Sequence, residues 1–501
     1  MRSGVGGVLA RSGLALCLCG PLACSAAALA ASGEPRFTAE QLRGDAYVMY
    51  DALRTLHPGL FRYQSSEQFD RNYQELRAGL AGGADLGHAY LAFARFAASI
   101  RCGHTWLNPL NQPDAVSREI LQSADRLPLH FTVVERRFLV TEALPGVGVS
   151  PGEEIVAIDG VSVTAVIRRL WPYLRADGAA DGKRLAQIGH GASESAFDEY
   201  YALVAPPRSG RMRTLEVRRA AGTNRTVRVP LVEEQARDHE LEARRGAAGR
   251  EWTYRREGDT GLIAMPTWAF WNRRFDWQLW LQNTFADLRA SGARYLVIDL
   301  RANEGGDDAI GQALARYIAR APSAYESFLP RLVYDSVPAR LRPVLSTWDR
   351  SFYDQRTRVE SLGAGAFTLR ERAPERIELT PLDSSFRGST YVLIGPNDSS
   401  ATFEFARMVR DAHLATLVGQ PSGGNLRGIT GGNMFFLRLP NTGITIDLPV
   451  IAFEAREPQR DSPLLPDISV VPDLTQMAAG VDRDMAAARQ AIAAADRPRP
   501  D

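Results

Sequence analysis

Residues 299–306 read Asp-Leu-Arg-Ala-Asn-Glu-Gly-Gly and follow the short apolar run 295–298, Tyr-Leu-Val-Ile. A helical pattern begins a few residues later, at Ala309. An apolar run, a Gly-Gly turn and a helical pattern in succession predict a strand, a tight turn and a helix. Backbone N–H groups at the start of such a helix are able to hold an oxyanion.

A second junction of this kind lies about 95 residues further on. The apolar run 391–394 passes into Gly-Pro-Asn-Asp-Ser-Ser at 395–400, and a helical pattern follows from Ala401. A serine at a strand-to-helix turn can act as a nucleophile. One turn that supplies amides and another that supplies a hydroxyl together indicate acyl transfer.

On these two segments the chain resembles the C-terminal processing peptidases (tail-specific proteases) of peptidase family S41. Residues 299–306 are similar to the family's D-x-R-x-N-x-G-G signature, and 399–406 to its S-A-x-E nucleophile segment. The resemblance implies Ser400 as the nucleophile. The family's glutamate position holds Phe403, and Glu404 falls one residue later, so Ser399 is the alternative nucleophile. The resemblance also implies an oxyanion hole formed by the amide of Ala401 and the amide of Gly305 or Gly306.

The fold that the resemblance implies is α/β and multi-domain. We expect a ClpP/crotonase-like α/β core with an N-terminal helical region and a PDZ-like β-rich module. Residues 151–161 are similar to the PDZ run G-D-x-I-x-x-I-(N/D)-G. The predicted boundaries are 1–30 for a signal peptide, 31–125 for the helical region, 126–240 for a degenerate PDZ-like module, 250–480 for the S41-like core and 481–501 for a C-terminal tail.

Lysine usage bears on the catalytic base. Many family members use a Ser–Lys dyad, and arginine cannot replace that lysine because it stays protonated. Residues 417–425 are similar to the family's V-G-E-x-T-x-G-K segment, but Asn425 occupies the lysine position. Lys183 is the only lysine of the chain and lies in the polar run Asp-Gly-Lys-Arg, which predicts a solvated surface turn. The chain therefore resembles the tricorn-like members, which lack the dyad lysine.

In those members a histidine upstream of the core serves as the base. The run Arg-Cys-Gly-His-Thr at 101–105 is similar to the family's (D/C)-G-H-T segment, which implies that His104 is the general base. Imidazole suits this role because its ordinary pKa lies near neutrality. The alternative is that His104 only packs at a domain junction. Cys102 is an alternative nucleophile, disfavoured because it does not lie in a strand-to-helix turn.

A third residue should orient the imidazole. Tricorn-like relatives supply a glutamate after the nucleophile segment, and we predict Glu457 for this role. Glu454 and Asp461 in the same acidic stretch are the alternatives.

Composition and motifs limit the partners, cofactors and cellular locations that we expect for the protein. A formal net charge of +1 indicates no nucleic-acid partner. No metal-ligand spacing, Walker motif or dinucleotide fingerprint occurs, so we expect neither a metal nor another cofactor. Residues 13–31 are small and apolar, and Ala28-Leu29-Ala30 fits a signal-peptidase site. These features predict a periplasmic or secreted protein with no integral membrane span after cleavage, and they leave lipidation at Cys24 and the oligomeric state open.

The sequence thus predicts an exported serine-type endopeptidase, with a peptide or unfolded protein as substrate. A non-catalytic peptide- or ligand-binding protein on the same fold is the alternative. A hydrolase of non-peptide acyl bonds is a third interpretation.

Overall fold

The computed structural model describes residues 36–122, 125–191, 194–207, 210–219, 222–245, 251–271, 273–372 and 376–495. The predicted signal segment and Cys24 lie outside these residues. The described residues pack as one compact unit. In the part described, no helix has the length and apolar character needed to cross a bilayer.

The N-terminal region is helical. Thr38 begins the first helix with a capping box, in which its hydroxyl accepts from the Gln41 amide and the Gln41 side chain accepts from the Thr38 amide. The ring of Phe69 in the second helix stacks between two other rings. Its centroid lies 5.2 Å from that of Tyr50 in the first helix and 5.4 Å from that of Phe96 in the third. The helices are α1 Ala39–Leu56, α2 Ser66–Gly79, α3 Leu86–Ser99 and the single turn α4 Asp114–Val116.

An antiparallel sheet with helices follows this region. The strand order is β1-β2-β3-β5-β6, with β4 paired to β3. The PDZ-like run spans β3, a turn with positive φ at Asp159 and Gly160, and β4. Its assignment as a PDZ module stays a prediction. The elements are β1 Leu129–Val134, β2 Arg137–Ala143, β3 Glu154–Ile158, β4 Val161–Ser162, α5 Val163–Leu170, α6 Asp181–Ile188, α7 Ala196–Val204, β5 Met212–Arg218, β6 Asn224–Pro230 and α8 Glu234–Arg245.

The remaining elements build the α/β core and its attached strands. In chain order they are β7 Thr253–Glu257, β8 Thr260–Ala264, α9 Trp277–Ala290, β9 Tyr295–Asp299, α10 Asp308–Ile318, β10 Ser323–Glu326, β11 Leu329–Arg331, β12 Leu345–Ser346, β13 Val359–Gly363, β14 Ala366–Leu369, β15 Arg376–Leu379, β16 Ser389–Ile394, α11 Ser400–Asp411, β17 Thr416–Gly419, β18 Gly428–Arg438, β19 Thr445–Glu454, β20 Ile468–Ser469, α12 Leu474–Ala478 and α13 Arg483–Ala495.

The core sheet has six strands in the order β20-β17-β16-β9-β8-β7, parallel except for β7. Both of its faces are covered, as parallel sheets require. Leu296 and Ile298 of β9 pack towards α9, α10 and α11, whereas Tyr295 and Val297 pack towards α13. This alternation follows from the two-residue period of a strand. The predicted α/β core is therefore confirmed, and β9 and β16 end at the same edge of the sheet.

The long β18–β19 hairpin joins the N-terminal helices to the core. Asp45 of α1 is fully buried and accepts hydrogen bonds from the amides of Asn441 and Thr442 at 2.9 and 2.8 Å. The Asp447 amide on β19 donates to the Trp106 carbonyl at 2.9 Å. These contacts fix the segment that carries His104 against the core.

Candidate active site

The first junction, between β9 and α10, is held by Asn303. Its side chain is fully buried and donates to the Met265 carbonyl at 2.7 Å. Its Oδ1 accepts from the Gly305 amide at 2.9 Å and from the Thr402 hydroxyl at 2.8 Å. Asn303 therefore fixes the Gly-Gly turn to β8 on one side and to α11 on the other.

Glycine is required at the turn itself. Gly305 and Gly306 have φ of 107° and 141°, values that side-chain-bearing residues rarely adopt. A Cβ at Gly306 would lie 2.2 Å from the Trp268 carbonyl carbon. The turn thus packs its backbone directly against the loop that follows β8.

The second junction, between β16 and α11, carries the serines. Asp398 is buried and its Oδ2 accepts from the Gly395 amide at 2.7 Å, which closes the turn, and burial raises the pKa of its carboxyl group well above the ordinary value. Ser400 begins α11 with φ of 52°, a strained value for a residue with a side chain, and it is half-buried. A strained serine at a strand-to-helix turn presents its hydroxyl to an approaching substrate.

The two junctions meet at Gly305. A Cβ placed there would lie 2.8 Å from the Ser400 Cβ and 3.0 Å from the Ala401 nitrogen. The Gly305 amide is already donated to Asn303. The amides of Gly306 and Ala401 have no hydrogen-bond acceptor among the described residues. The sequence left the choice between the Gly305 and Gly306 amides open, and of these two only the Gly306 amide is available to an oxyanion.

Lys183 lies inside the site, and the prediction of a solvated surface turn is wrong. It belongs to α6, is 2% exposed, and donates from Nζ to the Ser399 hydroxyl at 2.5 Å and to Glu304 Oε1 at 3.2 Å. The polar run forms the first turn of α6, and the buried face of this helix carries Lys183 and Arg184 together with Gln187 and Ile188. Asn425 does occupy the family's lysine position, but a lysine reaches the serine segment from a different part of the chain.

The hydroxyl of Ser399 is fully engaged. It accepts from Lys183 and donates to the Glu304 carbonyl at 3.2 Å, and the residue is 5% exposed. The buried Ser399 and Lys183 and the half-buried Glu304 therefore form a cluster next to Ser400.

His104 lies beside this cluster. Its ring is packed against Gly431 of β18, where an added Cβ would lie 3.4–3.7 Å from three ring atoms. Burial lowers the pKa of His104, as do the charges of Arg175 and Lys183, whereas Asp177 and Glu304 act in the opposite direction. The imidazole is therefore neutral at neutral pH, which is the form that accepts a proton.

Residues 177–179, a segment that the sequence did not indicate, contact the backbone next to His104. Asp177 is buried, and its Oδ1 accepts from the Gly103 amide at 3.0 Å. Asn425 donates to the Asp177 carbonyl at 3.3 Å and to Asp461 Oδ1 at 2.8 Å. Asp461 Oδ1 also accepts from the Ala179 amide at 2.7 Å. Asn425 and Asp461 thus anchor residues 177–179 next to the histidine.

The acids predicted to orient His104 have other positions. The side chain of Glu457 is exposed, and the structure does not bring it to the imidazole. Glu454 pairs with Arg331 at 3.2 Å and Arg62 at 3.6 Å. The stretch from Glu454 to Asp461 leaves β19 as a largely solvated loop, and only its end returns to the site, through Asp461.

Cys102 does not have the properties of a nucleophile. It is 3% exposed, its Sγ contacts the Thr430 carbonyl at 3.8 Å, and burial raises its pKa to about 11. His57 is also buried, with Nε2 at 2.9 Å from the Thr105 hydroxyl. Within the described ranges no group of three or more His, Cys, Asp or Glu side chains is arranged to hold a metal ion.

Comparisons with known proteins concern the family profile and the fold. The sequence profile of peptidase family S41 matches residues 259–470. The crystal structure of a serine-to-alanine mutant of CPAF is similar with a TM-score of 0.60 and 16% identity, covering 88% of this chain and 94% of that one. Mature CPAF complexed with lactacystin gives a TM-score of 0.61 and 15% identity, covering 88% of this chain and 95% of that one.

A third structure, the photosystem II D1 C-terminal processing protease, has a TM-score of 0.40 and 14% identity, covering 89% of this chain and 98% of that one. Comparison with curated protein sequences found no significant match. The CPAF structures share the fold over most of the chain, well beyond the residues that the profile matches. Both junctions lie within residues 259–470, the part of the chain that matches peptidase family S41.

Proposed function

We propose that the protein is a serine-type peptidase in which Ser400 attacks a peptide carbonyl carbon. The observation that carries this proposal is the strained Ser400 at the start of α11, beside two amides without acceptors in the described residues. As the Ser400 Oγ–carbon bond forms, His104 accepts the hydroxyl proton. The developing oxyanion receives hydrogen bonds from the Ala401 and Gly306 amides. His104 then gives the proton to the leaving amine, and water releases the acyl group by the reverse sequence.

Ser400 is a better nucleophile candidate than Ser399. The Ser399 hydroxyl is buried and its hydrogen is donated to the Glu304 carbonyl, so it is not directed at a base. A Lys183–Ser399 dyad would require the ammonium of Lys183 to lose its proton and the hydroxyl to turn towards it. The 2.5 Å contact between these two groups nevertheless makes this dyad the competing mechanism.

The substrate we propose is a peptide or an unfolded protein, cut as an endopeptidase would cut it, in the periplasm or outside the cell. The match to a peptidase family supports a peptide substrate. The predicted signal segment at residues 1–30 supports export. The PDZ-like run in β3 and β4 supports a module that binds an extended chain by strand addition.

Active-site labelling and a peptide-library digest test the proposal. The wild-type protein should react with a fluorophosphonate and cleave peptides. Ser400→Ala should abolish both, because loss of the nucleophile leaves only the oxyanion hole and binding. Ser399→Ala should keep cleavage within about tenfold of wild type, since its hydroxyl contacts Lys183 and not the substrate.

Three outcomes contradict parts of this proposal. A dead Ser399→Ala beside an active Ser400→Ala would assign the reaction to the Lys183–Ser399 dyad. A wild-type protein that neither labels nor cleaves would favour the non-catalytic binding protein. Labelling together with cleavage of simple esters but of no peptide in the library would favour a hydrolase of non-peptide acyl bonds.

A further inference from the structure

Two buried polar atoms on neighbouring backbone segments of the candidate site lack hydrogen-bond partners. They are Nδ1 of His104 and Oδ2 of Asp177, and neither has a partner among the described residues. Leaving such an atom unsatisfied in a protein interior costs free energy. One is a potential donor and the other an acceptor, so each could satisfy the other.

The backbone already brings these residues together. Asp177 Oδ1 accepts from the amide of Gly103, the residue directly before His104. A Cβ at Gly103 would lie 2.7 Å from Asp177 Oδ2, so glycine is what allows the carboxylate to lie over this turn. Asp177 Oδ2 therefore lies close to Gly103, the residue directly before His104.

The Asp177 segment is fixed by groups outside the turn. Asn425 and Asp461 bind the backbone of residues 177–179. Gly178 has φ of 52°, and a Cβ there would lie 2.3 Å from Asp461 Oδ1 and 2.6 Å from Asn425 Nδ2. The carboxylate is thus held on a short, closely packed segment and is 1% exposed. A buried carboxylate held this firmly is suited to orient another side chain.

We propose that Asp177 is the positioning residue for His104, accepting the Nδ1–H hydrogen bond while Nε2 takes the proton of Ser400. The proposal rests on the function of His104 proposed above. In the reaction the Nδ1 proton stays on the imidazole, the Ser400 proton moves to Nε2, and Asp177 stays ionised and stabilises the imidazolium. The role that the sequence implied for Glu457 then belongs to a residue on a different segment.

Charge supports the same assignment. Of the charged groups that act on His104, Asp177 has the largest effect and favours the protonated ring, Glu304 also favours it, and Arg175 and Lys183 oppose it. Neither Glu457 nor Asp461 is among the charges that act most on the ring. The balance leaves a neutral imidazole in the resting enzyme, and Asp177 is the carboxylate that most favours its charged form.

Asp177→Asn is the direct test. Asparagine keeps the volume and the acceptor for the Gly103 amide, but its NH₂ group would donate to Nδ1 and place the ring proton on Nε2, where the serine proton has to go. We expect kcat to fall by about 10²–10⁴ with KM changed by less than about threefold. Removing the negative charge should also move the inflection of the rate–pH profile to lower pH.

A measurement that does not depend on activity separates orientation from general damage. In protein labelled with ¹⁵N-histidine, NMR should show His104 protonated at Nδ1 in the wild type and at Nε2 in Asp177→Asn, with the resonance assigned by its loss in His104→Gln. Asp51→Asn removes a carboxylate from a distant surface pair with Arg340 and should change neither the tautomer nor the rate. Glu457→Gln tests the competing acid in the same assays.

An Asp177→Asn protein with kcat within threefold of wild type and an unchanged His104 tautomer would overturn the proposal. Loss of activity in Glu457→Gln together with a changed His104 tautomer would overturn it as well, in favour of Glu457. If His104→Gln itself keeps full activity, the proposed function of His104 fails. The tautomer measurement still reports on the contact between Asp177 and His104 in that case.

Discussion

Replacement of Lys183 by methionine should destabilise the protein and shift its rate–pH profile. Methionine keeps most of the side-chain volume but removes the ammonium that Glu304 and Ser399 contact at 3.2 and 2.5 Å. Breaking a buried ion pair by removing one partner costs about 3–5 kcal/mol. Because the Glu304 side chain is 19% exposed, we expect the lower end of this range, about 3 kcal/mol.

The pH effect of Lys183→Met has a definite sign. The charge of Lys183 lowers the pKa of His104, so its removal should raise that pKa. Activity that depends on neutral imidazole rises with pH through the pKa, and the inflection should therefore move to higher pH. This direction is opposite to the one expected for Asp177→Asn, which makes the two variants a matched pair.

Urea unfolding followed by fluorescence measures the first effect, and peptide cleavage between pH 5 and 9 measures the second. Lys183→Met combined with Glu304→Gln should recover part of the lost stability, because the half-buried carboxylate that paired with the ammonium is then removed as well. Arg169→Met on the exposed side of α5 is the control and should change stability by less than about 0.5 kcal/mol. A loss below about 1 kcal/mol for Lys183→Met, with an unmoved inflection, would mean that Lys183 is solvated after all.

Three further predictions concern other positions. Gly306→Ala should abolish cleavage, because its Cβ would lie 2.2 Å from Trp268 and displace an oxyanion amide; full activity in a peptidase assay would refute this. Burial raises the pKa of Asp447 to about 6, so the cost of its charged form sets in above the ordinary carboxyl pKa and is complete above pH 6. Between pH 4 and 7 Asp447→Asn should therefore gain about 2–3 kcal/mol on wild type in urea unfolding. An unchanged difference between the two proteins over this interval would contradict it. Cys102→Ala should keep kcat within about threefold, since the buried thiol has no catalytic role, and inactivation of a normally folded variant would restore Cys102 as a candidate.

The two strand-to-helix junctions could be predicted because their signals lie in consecutive residues. The apolar run 295–298 became β9, and the run 391–394 lies inside β16. Each buried parallel strand leaves an uninterrupted apolar run, and each following helix shows its period within a few residues of the turn. The positions of the serines and glycines follow from the same local pattern.

Lys183 and Asp177 could not be placed in this way. The contact of Lys183 with Ser399 joins residues 216 apart, and the contact of Asp177 with Gly103 joins residues 74 apart. Each residue lies among polar or small neighbours, a composition that is typical of exposed loops. Only the packing of the β1–β6 sheet and its helices against the core turns these side chains inward. The resemblance places the orienting acid after the nucleophile segment, and no local pattern points to residue 177.

Because the chain has a single lysine, cleavage at Lys183 can report the local unfolding of α6. A protease specific for lysine has one bond to cut in the whole chain, between Lys183 and Arg184. In the folded protein that bond lies within α6 with both side chains buried, so cutting requires α6 to detach from the core. The rate at which the two fragments appear would therefore measure how often α6 unfolds locally from the active site. A peptide or inhibitor that binds across Ser400 and α6 would lower this cleavage rate, and no label is needed to measure it.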